Sequence, residues 1–360
     1  MKRLLASLPL PLLLACATPA PSMAPESSPA LAAHTAPEPP STVFTLVSVE
    51  VFGSRKVSKA SLLEAIGLPA PGSQLDKARM DFGGLLQASK KRVTERWPFA
   101  LCTYSVVEYP GNQMRVTVNL VDPGDEWRMT FLPPPEGTPP DPSGLVTAWV
   151  RYLEKLQELR QAGAVPIFGV GTCRGIVCHG GFEHPELANR EQAFVDGVPR
   201  HFEALVRVLR EDRDEVRRMS AAMLLSYHGA REELAESLGG SVKDASAGVR
   251  NEALRLLGAL QTGPTRVIIP LEPVLAALWF PLSTDRNKAG WVLVRIVEIE
   301  GVARRKQILE TSGEMLIQMA SMEQPIDHEP ARKVLAILAG RDLGADEAAW
   351  RRWMAETTAP

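Results

Sequence analysis

Residues 214–225, DEVRRMSAAMLL, and residues 247–257, AGVRNEALRLL, share one order of charged and apolar positions. The Val-Arg pairs inside them lie 33 residues apart, a period typical of repeated helix pairs. Each copy predicts two helices whose apolar faces are buried only when neighbouring repeats stack. Two weaker copies follow, the third through Asp285, Ala289, Val292 and Ile296, and the fourth through Ala331, Val334, Leu335 and Leu338.

The composition favours a folded, largely helical protein. The chain has 360 residues, of which 45% are hydrophobic, so it can form packed cores. Its 40 Lys and Arg residues are balanced by 42 Asp and Glu residues. This balance excludes a protein that binds nucleic acid through bulk positive charge.

Upstream of the repeats, the stretch 43–52, VFTLVSVEVF, predicts a half-buried strand. Val47, Val49 and Val51 are expected on one face, and Ser48 and Glu50 on the other. This strand opens a region, residues 43–122, whose pattern we interpret as one small α+β domain.

The rest of that region predicts two helices and two further strands. One helix is expected between a Ser58 cap and Gly67, and a second from about Leu75 to Arg96. Residues 101–107 are rich in β-branched and aromatic side chains, and residues 114–120 alternate between apolar and polar side chains. Together they predict a closing hairpin. The resulting order is β-α-α-β-β, with both helices on one face of a three-stranded sheet.

Proline marks the boundaries between the predicted domains. Residues 123–142 hold seven prolines and predict a linker, with an extra strand possible at Trp127, Met129 and Phe131. Residues 143–200 predict one amphipathic helix followed by a loop that contains cysteines. The helical repeats and a C-terminal cap are expected to fill residues 201–360.

The N-terminus has the pattern of a secretory targeting signal. In residues 1–16, MKRLLASLPLPLLLAC, two basic residues precede an apolar run that is too short to span a bilayer. Leu13-Leu14-Ala15-Cys16 resembles a bacterial lipobox. The resemblance implies acyl chains on Cys16 that hold the protein in the cell envelope, at the outer membrane and facing the periplasm or the surface. An ordinary cleaved signal peptide is the alternative.

Residues 17–42 also hold seven prolines and predict a tether. A polyproline-like chain of this length reaches up to roughly 80 Å from a membrane. Disordered sequence without a spacing role is the alternative.

The region 43–122 resembles a POTRA (polypeptide-transport-associated) domain. The likeness rests on the strand and turn at 47–53, the helix start at Val57-Ser58, the Pro71-Gly72 loop and the Trp97-Pro98-Phe99 step. It implies that an extended protein segment adds to an exposed sheet edge. We expect that edge at Val47, Ser48, Val49 and Glu50 or at the closing hairpin. A generic α+β spacer is the alternative.

The repeats resemble HEAT repeats, and the C-terminal half resembles secreted HEAT-repeat proteins of myxobacterium-like organisms. The likeness implies an all-α solenoid in which Asp212, Arg217, Asp244 and Arg250 pair along an inner edge. Trp350 and Trp353 are expected in a helix that caps the solenoid. The alternative for these two residues is a surface pair that binds a partner.

One cluster of potential ligands occurs, at Cys173, Cys178, His179 and His184. We favour a disulfide between the two cysteines, with reduced thiols or a metal site as alternatives. Cys102 is expected to be a buried apolar residue of a strand.

The sequence gives little support for an enzyme, because common catalytic motifs do not occur in it. The sequence lacks Gly-x-Ser-x-Gly, a Walker sequence and His-Glu-x-x-His. We therefore predict no catalytic residue, no cofactor and a protein-interaction scaffold that binds envelope or secreted proteins. The alternatives are a structural envelope spacer and a metal-dependent hydrolase centred on the Cys-His cluster.

Overall fold

The computed structural model describes residues 42–167, 171–262 and 267–358. Four strands and two helices come first: β1 (Val43–Phe52), α1 (Lys59–Ile66), β2 (Gln74–Asp76), α2 (Phe82–Arg96), β3 (Leu101–Tyr109) and β4 (Gln113–Val121). Helices follow: α3 (Leu145–Gln161), α4 (Pro185–Ala188), α5 (Arg190–Gly197), α6 (Phe202–Glu211), α7 (Glu215–Leu224), α8 (Arg231–Leu238), α9 (Ala247–Leu260), α10 (Leu271–Leu278), α11 (Ser283–Glu300), α12 (Arg305–Ala320), α13 (Pro325–Ala339) and α14 (Glu347–Thr358).

The sheet is small and mixed, with the strand order β2-β1-β4-β3. β1 runs parallel to β4, whereas β2 and β3 are antiparallel to their neighbours. The prediction of a small sheet followed by helices is confirmed. β2 was not predicted: the second helix begins at Phe82 rather than near Leu75, because the Asp81 side chain caps it by accepting from the Gly84 N–H at 2.8 Å.

A β-bulge changes which residues of β1 face the core. The pairing with β4 passes from Leu46 to Ser48, so Val47 is the extra residue of the bulge. Leu46 is therefore the residue buried in the core beneath α2, together with Leu75 and Met114. The strict alternation predicted from Val47 to Val51 is wrong at Val47 for this reason.

The C-terminal region is a stack of helix pairs. The pairs are α6–α7, α8–α9, α10–α11 and α12–α13. Their second helices contact one another in chain order, and α3 packs against the first of them. The four repeat copies in the sequence all fall on these second helices, where residues such as Leu224, Leu256, Val292 and Leu335 are buried.

A row of buried ion pairs, which we call the ladder, connects successive pairs. Arg218 contacts Asp244 at 2.8 Å, Arg250 contacts Asp285 at 2.7 Å, and Arg286 contacts Asp327 at 3.1 Å. Each arginine also donates to carbonyl groups just before its own helix. Buried charges need this degree of pairing because their desolvation is costly.

The prediction that Arg217 belongs to the ladder is wrong by one position. Arg217 bonds Asp212 of its own repeat at 2.7 Å, and Arg218 is the residue that reaches the next repeat. The true period between these arginines is 32 residues, since Arg218 corresponds to Arg250. A shift of one residue turns a helix by about 100°, which explains why Val216 is 46% exposed.

The proline segment 123–142 packs along the ladder. The Leu132 N–H donates to the Lys243 carbonyl at 2.7 Å, and the Gly137 carbonyl accepts from the Arg213 N–H at 2.8 Å. The extra strand predicted near Trp127 is instead a short 3-10 helix, Glu126–Met129. These bonds attach the segment to the helix stack.

One face of the sheet is buried on the helix stack, and the other is covered by α1 and α2. The Arg128 side chain joins the two regions by donating to the Gly53 and Trp279 carbonyls at 3.1 and 2.9 Å. Arg286 donates to Asn119 at 3.1 Å and lies 3.5 Å from the Phe52 ring centroid. A side chain at Gly53 (φ 98°) would meet the Leu120 carbonyl at 2.3 Å, so this junction requires glycine.

None of the described helices combines the length and apolar character needed to cross a membrane.

Candidate protein-binding site

β3 is an edge strand. It pairs with β4 along nine residues, from Leu101 to Tyr109, and no other strand in the described residues adjoins it. Alternate residues of an edge strand direct their N–H and C=O groups away from the sheet, where an added strand can bond them. The edge of β3 is thus a ready template for an extended segment.

A groove with a volume of about 530 Å³ runs along this edge, and we call it the β3 groove. Residues 104–107 of β3 form its floor. One wall is the start of α2, with Phe82 and Leu86. The opposite wall comes from the helix stack, with Leu282 and Thr284 at the start of α11. The site is therefore composite, since neither region alone supplies both walls.

The floor and one end of the β3 groove are held in place by polar contacts. The Tyr104 hydroxyl lies 2.7 Å from Ser89 Oγ, which donates to the Ile66 carbonyl at 2.6 Å. Burial raises the pKa of Tyr104 to about 12, so the phenol is neutral. Lys77 forms an ion pair with Glu108 at the end of the groove. The site offers apolar walls and backbone groups rather than reactive side chains.

The predicted edge at Val47, Ser48, Val49 and Glu50 has a different environment. β1 lies between β2 and β4, and β2 pairs only with residues 43–45. Ser48 is buried, and Glu50 accepts from the Glu323 N–H of the helix stack at 2.9 Å. Burial raises the pKa of Glu50. A partner-binding role for these four residues stays a prediction, and the closing hairpin provides the more accessible edge.

The interpretation of Trp350 and Trp353 as a surface pair is wrong. Trp350 is fully buried and Trp353 is 8% exposed. The Trp350 indole N–H donates to the Gly344 carbonyl at 3.0 Å, and α14 packs on α12. Both rings close the end of the helix stack, as expected for a cap.

The four-residue metal site is also wrong. Among the described residues, no three His, Cys, Asp or Glu side chains come together as metal ligands. His179 is directed toward Glu252 (3.7 Å) and Trp149. His184 caps α4 by accepting from the Glu186 N–H. The four side chains therefore do not form one metal site among the described residues.

Cys173 and Cys178 are free thiols in this structure, and both residues are partly exposed to solvent. The predicted disulfide stays a prediction, to be checked by the mass of the unreduced protein. Cys102 is buried in the core between the sheet and α1, where burial raises its pKa to about 11. Its predicted role as an apolar core residue fits this position. Cys16 lies outside the described residues.

The helix-stack wall of the β3 groove could not be read from the sequence. Leu282 and Thr284 lie some 175 residues after β3. Nothing in their local pattern distinguishes them from other residues at the start of a helix. Neither a scan against models of protein families nor a comparison with curated proteins finds a match to this chain.

Proposed function

We propose that this chain is a non-catalytic, lipid-anchored scaffold of the cell envelope that captures an extended protein segment in the β3 groove. The observation that carries the proposal is the edge strand β3 with an apolar wall on either side. Main-chain hydrogen bonds to β3 supply affinity, and side-chain pockets in the walls supply selectivity.

The POTRA-like and HEAT-like interpretations support this function. Strand order, the two helices on one face and a free edge at the closing hairpin are compatible with a POTRA-like module. The ladder of Arg218, Arg250 and Arg286 fits HEAT-like stacking. In this chain the stack's ladder edge holds the proline segment, so the partner is expected at the β3 groove instead.

Blocking the groove is the direct test of this function. Thr284 is half-buried on the groove wall, so Thr284→Arg places a long charged side chain in the path of a bound segment. We expect at least a tenfold loss of partner recovered from envelope extracts, measured by quantitative mass spectrometry.

The matched control is Thr357→Arg, a half-buried threonine on α14 outside the groove lining. This control should recover the partner normally. Equal recovery with both variants would favour the alternative of a structural spacer. Deleting residues 43–122 is a poorer test, since it would expose the buried contacts of Arg286.

Acylation at Cys16 is the second prediction from this function. Labelled palmitate should be incorporated into the wild-type chain, and Cys16→Ser should abolish the incorporation because the acceptor sulfur is gone. Several buried acyl chains make a stable anchor, so the variant should also leave the membrane fraction. Palmitate labelling that persists in the variant, or a wild-type chain found in the cytosol, contradicts the proposed location.

A further inference from the structure

A strand added to β3 continues the sheet, so its side chains alternate between the two faces of the sheet. The β3 residues Tyr104 and Val106 pack on the α2 side. Ser105 lies on the stack side, where its hydroxyl accepts from the Asn119 amide at 2.8 Å and the Asn119 carbonyl accepts from Arg286 at 3.1 Å. An occupant of the β3 groove therefore presents one set of side chains to α2 and the alternate set to the helix stack.

Both walls of the β3 groove offer apolar side chains that are only partly covered. Phe82 and Leu86 on the α2 wall are half-buried. On the stack wall, Leu282 is half-buried beside Thr284. A strand that is covered on both faces is a continuous apolar run, whereas a strand covered on one face alternates between apolar and polar residues. The two walls thus favour an apolar run as long as the floor of the groove, residues 104–107.

One charge in the groove lining has no ion-pair partner. Lys77 and Glu108 neutralise each other. Asp81 accepts from the Gly84 N–H, and no cation of the described residues forms an ion pair with it. This carboxylate is exposed at the start of α2, so a bound segment can contact it. Charge complementarity at this position favours Lys or Arg in the occupant and disfavours Asp or Glu.

We infer that the occupant of the β3 groove is a segment of a partner protein with a continuous apolar run and a flanking basic residue that contacts Asp81. The inference rests on the proposed function, because it specifies which extended segment the groove selects. Proline inside the run is disfavoured, since it lacks the N–H that bonds the β3 edge. An alternating segment is disfavoured because its polar side chains lose water against one of the apolar walls.

Three fluorescent synthetic peptides test this preference on the purified full chain at low ionic strength, where charge effects are least screened. They are Lys-Val-Ile-Leu-Val-Lys, its acidic counterpart Glu-Val-Ile-Leu-Val-Glu, and the alternating Lys-Val-Ser-Leu-Ser-Lys. The charge at both ends makes the result independent of the direction in which the strand adds. By fluorescence anisotropy the first peptide should bind most tightly, and each of the others about tenfold more weakly.

Asp81→Asn removes the charge and keeps the helix cap, because Asn caps helices as well as Asp does. This variant should bind the basic and acidic peptides with affinities within about twofold of each other. Glu64→Gln removes an exposed carboxylate of α1 outside the groove lining and should keep the wild-type preference. Circular dichroism shows that both variants are folded.

Three results would overturn the inference. They are equal binding of the basic and acidic peptides to the wild-type chain, an unchanged preference in Asp81→Asn, and binding of the alternating peptide as tight as that of the apolar run. Partner recovery that Thr284→Arg abolishes, without any preference among the peptides, would retain capture in the groove and reject this segment chemistry. Loss of both peptide binding and partner recovery in the wild-type chain would reject the proposed function as well.

Discussion

Arg286→Met is expected to lower the free energy of unfolding by about 3–5 kcal/mol, as for removal of one partner from a buried ion pair. Arg286 and Asp327 are both fully buried, and the Arg286 guanidinium contacts Asp327 at 3.1 Å. Burial already raises the pKa of Asp327. Without its partner this carboxylate must take up a proton or remain as an isolated buried charge, and Asn119 loses its donor. Urea unfolding followed by circular dichroism measures the loss.

Two further variants show whether loss of the Arg286–Asp327 ion pair causes the drop in the free energy of unfolding. The Arg286→Met/Asp327→Leu double variant should recover part of the loss, because no unpaired carboxylate remains. Arg295→Met removes an arginine from a part-exposed pair with Glu298 and should cost less than about 1 kcal/mol. If Arg286→Met were as stable as Arg295→Met, the ladder would not hold the helix pairs and the sheet together.

The stability of the chain is expected to fall by about 3 kcal/mol between pH 6.5 and pH 4 because of His179 alone. Burial lowers the pKa of this imidazole to about 4, from 6.5 in an unfolded chain. In that window the unfolded state binds the extra proton, so stability rises with pH. The contribution of neutral His179 to the free energy of unfolding is therefore complete above pH 6.5, and it is lost as the pH falls toward 4. Each unit of pKa difference corresponds to about 1.4 kcal/mol.

The charges around His179 work in opposite directions. Glu252, at 3.7 Å, favours the imidazolium, whereas Arg255 and Arg160 oppose it. His179→Gln removes the titration, so its unfolding free energy should change by about 3 kcal/mol less across the window. Urea unfolding at half-unit steps of pH measures both curves. Parallel curves would show that the imidazole is protonated equally in the folded and unfolded states.

Helix periodicity was the most informative signal in the sequence. The positions Ala221, Leu224, Ala253 and Leu256 repeat because each must face the neighbouring helix pair, and burial of one face requires this spacing. The weaker copies at Val292 and Leu335 were found by the same rule. Alternation located β1 and β4, and β-branched and aromatic residues located β3, because one face of each strand must be buried.

The misplaced features depend on contacts that no local pattern encodes. β2 has three residues and is fixed only by pairing with the start of β1. The bulge at Val47 depends on the register with β4. Arg217 and Arg218 are adjacent arginines, and only the position of Asp244 decides which one forms the ladder. The proline segment was taken for a linker because its composition does not show that Arg128 is buried between the sheet and Trp279.

The β3 groove depends on such long-range contacts more than any other feature. β3 itself was predicted, and the closing hairpin was one of the two expected binding edges. The wall from α11 exists only because the polar face of the sheet packs on the helix stack. That face contains Thr117 and Asn119, which the alternating pattern would assign to solvent.

The most direct measurement is site-specific photo-crosslinking in cells that express the full chain. A benzophenone side chain placed at Met80, on the rim of the β3 groove, should form an adduct with a partner protein, and Thr284→Arg should remove that adduct. The same group at Leu63, similarly exposed on α1 but outside the groove lining, should form none. Adducts at Leu63 alone, or at Met80 regardless of Thr284→Arg, would contradict capture in the groove.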